Sequence, residues 1–272
     1  MAHGQFFAWN GGALFLGSGA GVVPMHAHYA IQLAFGDRPG ICFRTGDDAP
    51  WVEYVGAMIP SHQPHSMDPT RVAMSAVLFV EPETPEGRAL AERHLREGIA
   101  PMPEADVAAH IPALFEAWIG NAGADAVQRA AWQVIHALTG GVQPSTPVDD
   151  RVLRAIAWMN AHLGESITLE QVAAEAFLSP SRFRHRFVEE TGMGLRPYLL
   201  WRRLLRVFEL ATTGRSLSEA AHLAGFADAA HLTRTCRRMF GMAPSALQVT
   251  TPPPRTVPSL PMAPVRAPTP RG

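Results

Sequence analysis

Two short stretches hold side chains whose types and spacing can do chemistry. In MHAHYAIQLAFGDRPG, His26 and His28 flank a single residue and Gln32 follows, while His62 and His65 stand further on in IPSHQPHSM. Alternate residues of an extended strand share a face, so His26 and His28 can present two imidazoles to one metal ion or one polar ligand. The second stretch, GFADAAHLTRTCRRMFG from Gly225 to Gly241, sets His231, Arg234, Arg237 and Arg238 among Leu232, Cys236, Met239 and Phe240. A metal-binding helix would need a second ligand at i+3 or i+4 from His231, and none is there. A membrane-surface helix would need a wide face of large apolar residues. A helix lying against a polyanion needs an apolar stripe to hold it down and basic residues on the other side. Leu232, Cys236 and Phe240, spaced i, i+4, i+8 with Met239 beside them, supply that stripe.

Charge is distributed to match. All 23 basic residues are arginine, against 24 acids. Residues 1–147 carry 7 arginines and 14 acids, whereas residues 148–250 carry 13 and 10, and residues 251–272 carry 3 and none. An acidic front and a basic back predict two jobs, with any polyanion contact in the second. No apolar run reaches the length of a membrane span, and no basic-then-apolar leader opens the chain, so it reads as a cytoplasmic protein without a membrane partner. Cys42 and Cys236 have no metal or redox spacing and read as buried reduced thiols.

The elements that must position these residues fall into two regions. Residues 5–80 read as short strands broken by Gly, Pro and Asp: FFAWNGGALFL, YAIQLAFGD, GICFRT, WVEYVGAMIP and VAMSAVLFV. GRALAERHLREG, EADVAAHIPALFEAWIG and DAVQRAAWQVIHALTG read as helices, and 140–150 as a linker. From 150 to about 247 the pattern is helical, and the proline-rich tail 251–272 is expected to be disordered. Within the helical region a shift of 49 positions overlays Phe177 on Phe226, Ser179 on Asp228, Phe183 on Leu232, Phe187 on Cys236, Gly192 on Gly241 and Glu170 on Glu219. Thr168 with Gln171 and Ser216 with Glu219 have capping-box spacing, and Ser179-Pro180 and Asp228 are helix starts. Two helix-turn-helix units are predicted, joined by one long helix over 196–214. Ser181, Arg184, His185, Ala230, His231 and Arg234 are then the base-edge candidates, and Arg182, Arg186, Arg237 and Arg238 the phosphate candidates.

GFADAAHLTRTCRRMFGMAPSAL and ITLEQVAAEAFLSPSRFRHRFVEETGMGLRPYL resemble the two helix-turn-helix motifs of the AraC/XylS family of transcription regulators. The resemblance implies recognition helices near 180–190 and 229–240 in adjacent major grooves of double-stranded DNA. It also implies a cupin-like sensing β-barrel with flanking helices in front. The implied organisation is α+β: residues 1–139 for effector binding and dimerisation, 140–150 linker, 151–250 DNA binding and 251–272 tail. Partners implied are a small-molecule effector, a second copy of the chain through helices in 86–139, and RNA polymerase if the protein activates; no enzyme activity and no cofactor are implied. Metal-binding cupins use H-x-H, then Glu, then a later His, and here Gln32 stands at the Glu-like position. His26, His28, Gln32 and His65 are therefore effector-pocket candidates, with a metal at His26, His28 and His65 and a purely structural role as the other readings. Cys236 stands where the family usually has an aromatic, Ala176 where a Gly-like turn residue is common, and the usual Tyr-Arg after Pro-Ser is missing. An underfilled second core, a less regular first turn and an altered last helix end are expected. A cupin metalloenzyme with a DNA-binding appendage and a ligand-free dimerisation scaffold are the rival readings.

Overall fold

The computed structural model describes residues 3–141 and 147–247; residues 142–146 of the expected linker and the expected disordered tail lie outside them. The front of the chain forms antiparallel strands: β1 (His3–Trp9), β2 (Gly12–Ser18), β3 (Val23–His26), β4 (Ile31–Gly36), β5 (Ile41–Arg44), β6 (Val52–Tyr54), β7 (Gly56–Ile59), β8 (His65–Asp68), β9 (Met74–Val80) and β10 (Ala100–Pro101). FFAWNGGALFL is not one strand but a hairpin: Asn10-Gly11 closes it, with Trp9 opposite Gly12 and Gly11 at φ +88°. WVEYVGAMIP also divides, β6 in one sheet and β7 in the other.

The hydrogen-bonded orders are β1-β2-β9-β4-β7-β10 and β3-β8-β5-β6. The expected barrel is corrected here: among the described residues no strand pairing joins the two sheets, so they stack as an open sandwich. Strand alternation sorts the larger sheet's side chains. Ile31, Leu33, Phe35 and Leu78 face a helical layer, and Ala34, Ala57 and Ile59 meet Val23, Phe43 and Met67 of the smaller sheet. The helical layer is α1 (Pro85–His94), α2 (Glu104–Val107), α3 (His110–Ile119) and α4 (Ala124–Thr139), whose Leu114, Trp118, Val134 and Leu138 are buried on the sheet.

The smaller sheet covers only the β4–β7 half of the larger one. Over β1, β2 and β9 the covering comes from the C-terminal helices: Phe6, Ala13, Tyr29 and Phe79 share one core with Trp201, Phe208 and Phe240. Phe208 lies 5.5 Å from both Phe6 and Phe15, and Phe240 5.8 Å from Phe15, between ring centroids.

Those helices are α5 (Asp150–Ala161), α6 (Leu169–Glu175), α7 (Pro180–Thr191), α8 (Leu195–Thr212), α9 (Leu217–Leu223) and α10 (Ala229–Phe240), followed by a 3-10 turn at Pro244–Leu247. Both capping boxes form, and Ser179 and Asp228 cap α7 and α10 by accepting from the N–H of Arg182 and His231. No helix among the described residues is long and apolar enough to cross a membrane.

The internal repeat is less uniform than a single shift. The capped starts at Thr168 and Ser216 are 48 residues apart, those at Ser179 and Asp228 are 49 apart, and the second turn holds one more residue. Glu170 therefore has Ser218, not Glu219, as its counterpart. Phe177 corresponds to Gly225: both are left-handed, at φ +53° and +81°. Leu178 turns inward as Phe226 does, while Phe177 is 77% exposed. The irregular first turn expected at Ala176 falls one residue later. Ala176 keeps a helical φ of −81°, and Phe177 adopts the conformation glycine takes in the second unit, at a cost of about 1–2 kcal/mol. The Arg154 guanidinium, 5.0 Å from the Phe177 ring centroid, stacks on it in return.

Candidate nucleic-acid interface and effector site

On α7, Phe183 and Phe187 are buried and Ser181, Arg182, Arg184 and His185 are exposed. On α10, Leu232, Thr235, Cys236, Met239 and Phe240 are buried, and Ala229, Ala230, Arg234, Arg237 and Arg238 are exposed. Cys236 is fully enclosed, and burial pushes its thiol up to about 12 against the opposing pull of Arg237. Arg182, Arg184, Arg234, Arg237 and Arg238 make no ion pair among the described residues. The other basic candidates are engaged within the fold. Arg186 pairs with Asp149 at 3.2 Å and Glu189 at 3.1 Å, and His185 with Glu189 at 3.2 Å. His231 is half-buried, its ring 5.1 Å from that of Phe226. The two outer faces thus present arginine beside small first-turn residues, the composition a groove-entering helix needs.

The four effector-pocket candidates come together between the sheets. His26 and His65 are register partners across β3 and β8, while Gln32 meets His28 from the inner face of β4. His28 lies beyond the end of β3, not on it, so a bend in the chain and not strand alternation brings it to the group. All four are buried, His65 completely. Ring centroids are 4.3 Å apart for His26–His65, 5.2 Å for His28–His65 and 5.6 Å for His26–His28. Burial holds all three imidazoles below their ordinary range; for His65, with help from His26, the value is about 4. They are neutral at physiological pH. His62 stands apart, exposed beside Tyr29.

Beside this group is a cavity of about 70 Å³, closed by Phe240 and Met242 from the end of α10. The contact is close. Gly241 caps α10 at φ +71°, and a Cβ there would stand 2.8 Å from the Pro24 carbonyl oxygen and 3.1 Å from His26 Nδ1. Only glycine satisfies both the left-handed cap and the approach to β3.

Sequence reasoning missed a second junction. Glu81 and Glu83, just past β9, are each 2% exposed. Glu81 accepts from Trp201 Nε1 at 3.0 Å and from the Arg202 guanidinium. Glu83 accepts from Tyr29 at 2.6 Å and Tyr198 at 2.8 Å. Tyr198, Trp201 and Arg202 lie on α8, so the helix joining the two helix-turn-helix units is fixed to the front of the chain by buried polar bonds. Burial works against the Arg202 charge, but Glu81 beside it more than compensates and the group stays protonated. The available signal was the pair of acids directly after an apolar strand.

Burial, reinforced by the Glu81 charge, raises Glu83 to about 7. From the ordinary carboxyl range up to about 7, the native state therefore binds the more protons, so stability falls as pH rises through that window. Thermal melts from pH 5 to 8 are expected to show this decline in the wild type and to lose most of it in Glu83→Gln, which keeps the shape without the charge.

Comparison with known proteins agrees with this geometry. Residues 172–249 match the family described as "Helix-turn-helix domain". Regulatory protein PocR of Salmonella typhimurium is 28% identical over 102 residues, 37% of this chain and 34% of that protein. The arabinose operon regulatory protein of Escherichia coli is 31% identical over 104 residues, 36% of this chain and 35% of that protein. The chain thus matches about a third of the length of these curated relatives. Over nearly its whole length its fold is similar to that of ToxT from Vibrio cholerae, with a TM-score of 0.56 at 12% identity, covering 89% of this chain and 99% of that one. ToxT is also known in an unsaturated fatty acid bound form, matched with a TM-score of 0.53 at 9% identity over 92% of this chain and 95% of that one. With two capped helix-turn-helix units and these matches to their sequence, the C-terminal region is similar to the helix-turn-helix regions of regulators such as the arabinose operon regulatory protein.

Proposed function

We propose that the protein is a sequence-specific DNA-binding transcription regulator whose front half senses a small effector. The observation that carries the reading is the pair of capped helix-turn-helix units with exposed arginines on equivalent outer faces. In this reading residues 1–139 form a cupin-like sensing and dimerising domain, 140–150 a linker, 151–250 the DNA-binding domain and 251–272 a tail. The protein acts in the cytoplasm as a homodimer through helices in 86–139, with no catalysis, and meets RNA polymerase if it activates. Ser181, Arg184, His185, Ala230, His231 and Arg234 face base edges; Arg182, Arg186, Arg237 and Arg238 face phosphates.

Effector control follows from where α10 ends. Phe240 and Met242 close the cavity beside His26 and Gln32, so an occupant there acts directly on the second recognition helix. Organic ligand pockets usually measure about 300–1,000 Å³. A ligand as large as the fatty acid bound by ToxT therefore requires the end of α10 to withdraw.

Selection of bound sequences from random DNA by the full chain tests the reading; recovery of no preferred sequence overturns it. Arg184→Ala and Arg234→Ala are each expected to relax base preference and cost about 1–3 kcal/mol. Arg238→Ala is expected to weaken binding to all sequences alike and to reduce the salt slope by about 1. Equal losses on preferred and random DNA for all three variants would refute the face assignment.

A further inference from the structure

We propose that His26, His28 and His65 form a binding site for a divalent transition-metal ion, whose occupancy sets how α10 is seated. The first part stands on the histidines alone; the second rests on the DNA-binding reading above.

One potential ligand atom from each of the three residues lies within 4.8 Å of the others. Each ring is also oriented from behind. His26 Nδ1 meets the Pro24 carbonyl at 2.8 Å, His28 Nδ1 that of Ala30 at 2.8 Å and His65 Nδ1 that of Gln63 at 2.9 Å. A neutral imidazole has one N–H, and in all three a backbone carbonyl takes it at Nδ1. The lone pair therefore sits on Nε2 in each ring. Fixing a histidine tautomer through its second nitrogen is how metal sites prepare their ligands.

What the Nε2 atoms meet is incomplete without a cation. His65 Nε2 is buried and has no hydrogen-bond partner among the described residues. His28 Nε2 stands 2.8 Å from the Gln32 side-chain amide, with Nδ1 2.8 Å from the Ala30 carbonyl. A metal ion gives His65 Nε2 a partner, and Gln32 Oε1 is on hand as an oxygen ligand. Three neutral imidazole nitrogens suit zinc, nickel, copper or iron, not calcium or magnesium. The cavity of about 70 Å³ adjoins the group through His26 and Gln32 and has room for one or two waters beside an ion.

The same atoms connect to the recognition helix. The Pro24 carbonyl that orients His26 is the atom nearest the absent Gly241 Cβ, at 2.8 Å. Drawing His26 inward onto an ion shifts that carbonyl against the cap of α10, and Phe240 and Met242 with it.

Cobalt(II) is the probe for the first part, added to chelator-stripped full-length protein. Visible ligand-field bands at one ion per chain are expected, together with a melting temperature higher by about 5 °C or more at a hundredfold excess over Kd. His65→Gln and His28→Asn, checked for native far-UV circular dichroism, are expected to lose the bands, and His136→Ala on α4 to keep them. If either triad variant does not fold, the wild-type titration decides alone. Absence of bands in the wild type, or bands that survive in both folded variants, overturns the site.

For the second part, affinity for a selected DNA sequence is compared with zinc and with chelator; a change of fivefold or more supports control of α10. Equal affinities overturn that control and leave the metal site standing. Failure to bind any DNA counts against the DNA-binding reading without touching the cobalt result.

Discussion

Glu81→Gln is expected to destabilise the protein by about 3–5 kcal/mol, measured by urea unfolding at neutral pH. The substitution barely changes volume, so packing is not the source of the loss. Arg202 is 7% exposed and its guanidinium is held by Glu81, with Asn160 accepting from Nε at 2.9 Å. Neutralising Glu81 removes the carboxylate in contact with a buried cation and leaves amide oxygens as its direct hydrogen-bond partners, and Arg202 does not escape by losing its proton. A double variant, Glu81→Leu with Arg202→Met, is expected to recover much of the loss, because the penalty comes from the uncompensated charge and not from the absence of a bond. The single variant carries a second readout. With the Glu81 charge gone, Glu83 ionises more readily, so the pH window over which stability declines moves towards acid.

Phe240→Ala is the other substitution with a large expected effect, again about 3–5 kcal/mol. Its ring lies 5.3 Å from Phe79, 5.7 Å from Trp201 and 6.0 Å from Phe208, and it closes the cavity beside His26. Its loss enlarges an existing cavity, which surrounding side chains cannot collapse to fill. Phe183→Ala removes the same number of atoms from a fully buried position on α7. Both variants are expected to be destabilised, but only Phe240→Ala to give raised binding of an apolar fluorescent dye to the folded state. Equal dye binding by the two would show that Phe240 does not guard the pocket.

The helix-turn-helix half was legible because each of its signals is local. Thr168 with Gln171, Ser216 with Glu219, Ser179-Pro180 and the stripe Leu232, Cys236, Phe240 are read within one or two helical turns. The one-residue difference between the two turns was hidden because a phenylalanine stands where the second unit has Gly225, and propensity argues against a left-handed Phe177. In the front half, strand existence was legible but pairing was not. Nothing in WVEYVGAMIP marks where the chain leaves one sheet for the other, and nothing local says that two sheets stop short of closing. The histidine group was found for a partly mistaken reason: His26 and His65 meet by strand register and His28 by a bend. Glu81 and Glu83 escaped because their partners, Tyr29 and the α8 residues, are distant in sequence, and burial of an acid is visible only when its partners are known.

The sharing of one core between β1, β2, β9 and the helices α8 and α10 bears on how such a chain can be divided or recombined. Cutting in the 140–150 region would strip cover from Trp201, Phe208 and Phe240 on one fragment and from Phe6, Phe15 and Phe79 on the other, leaving each with a sticky apolar scar. Neither half is a portable cassette. A chimera that borrows the reader from one relative and the sensor from another must transplant both sides of this seam together.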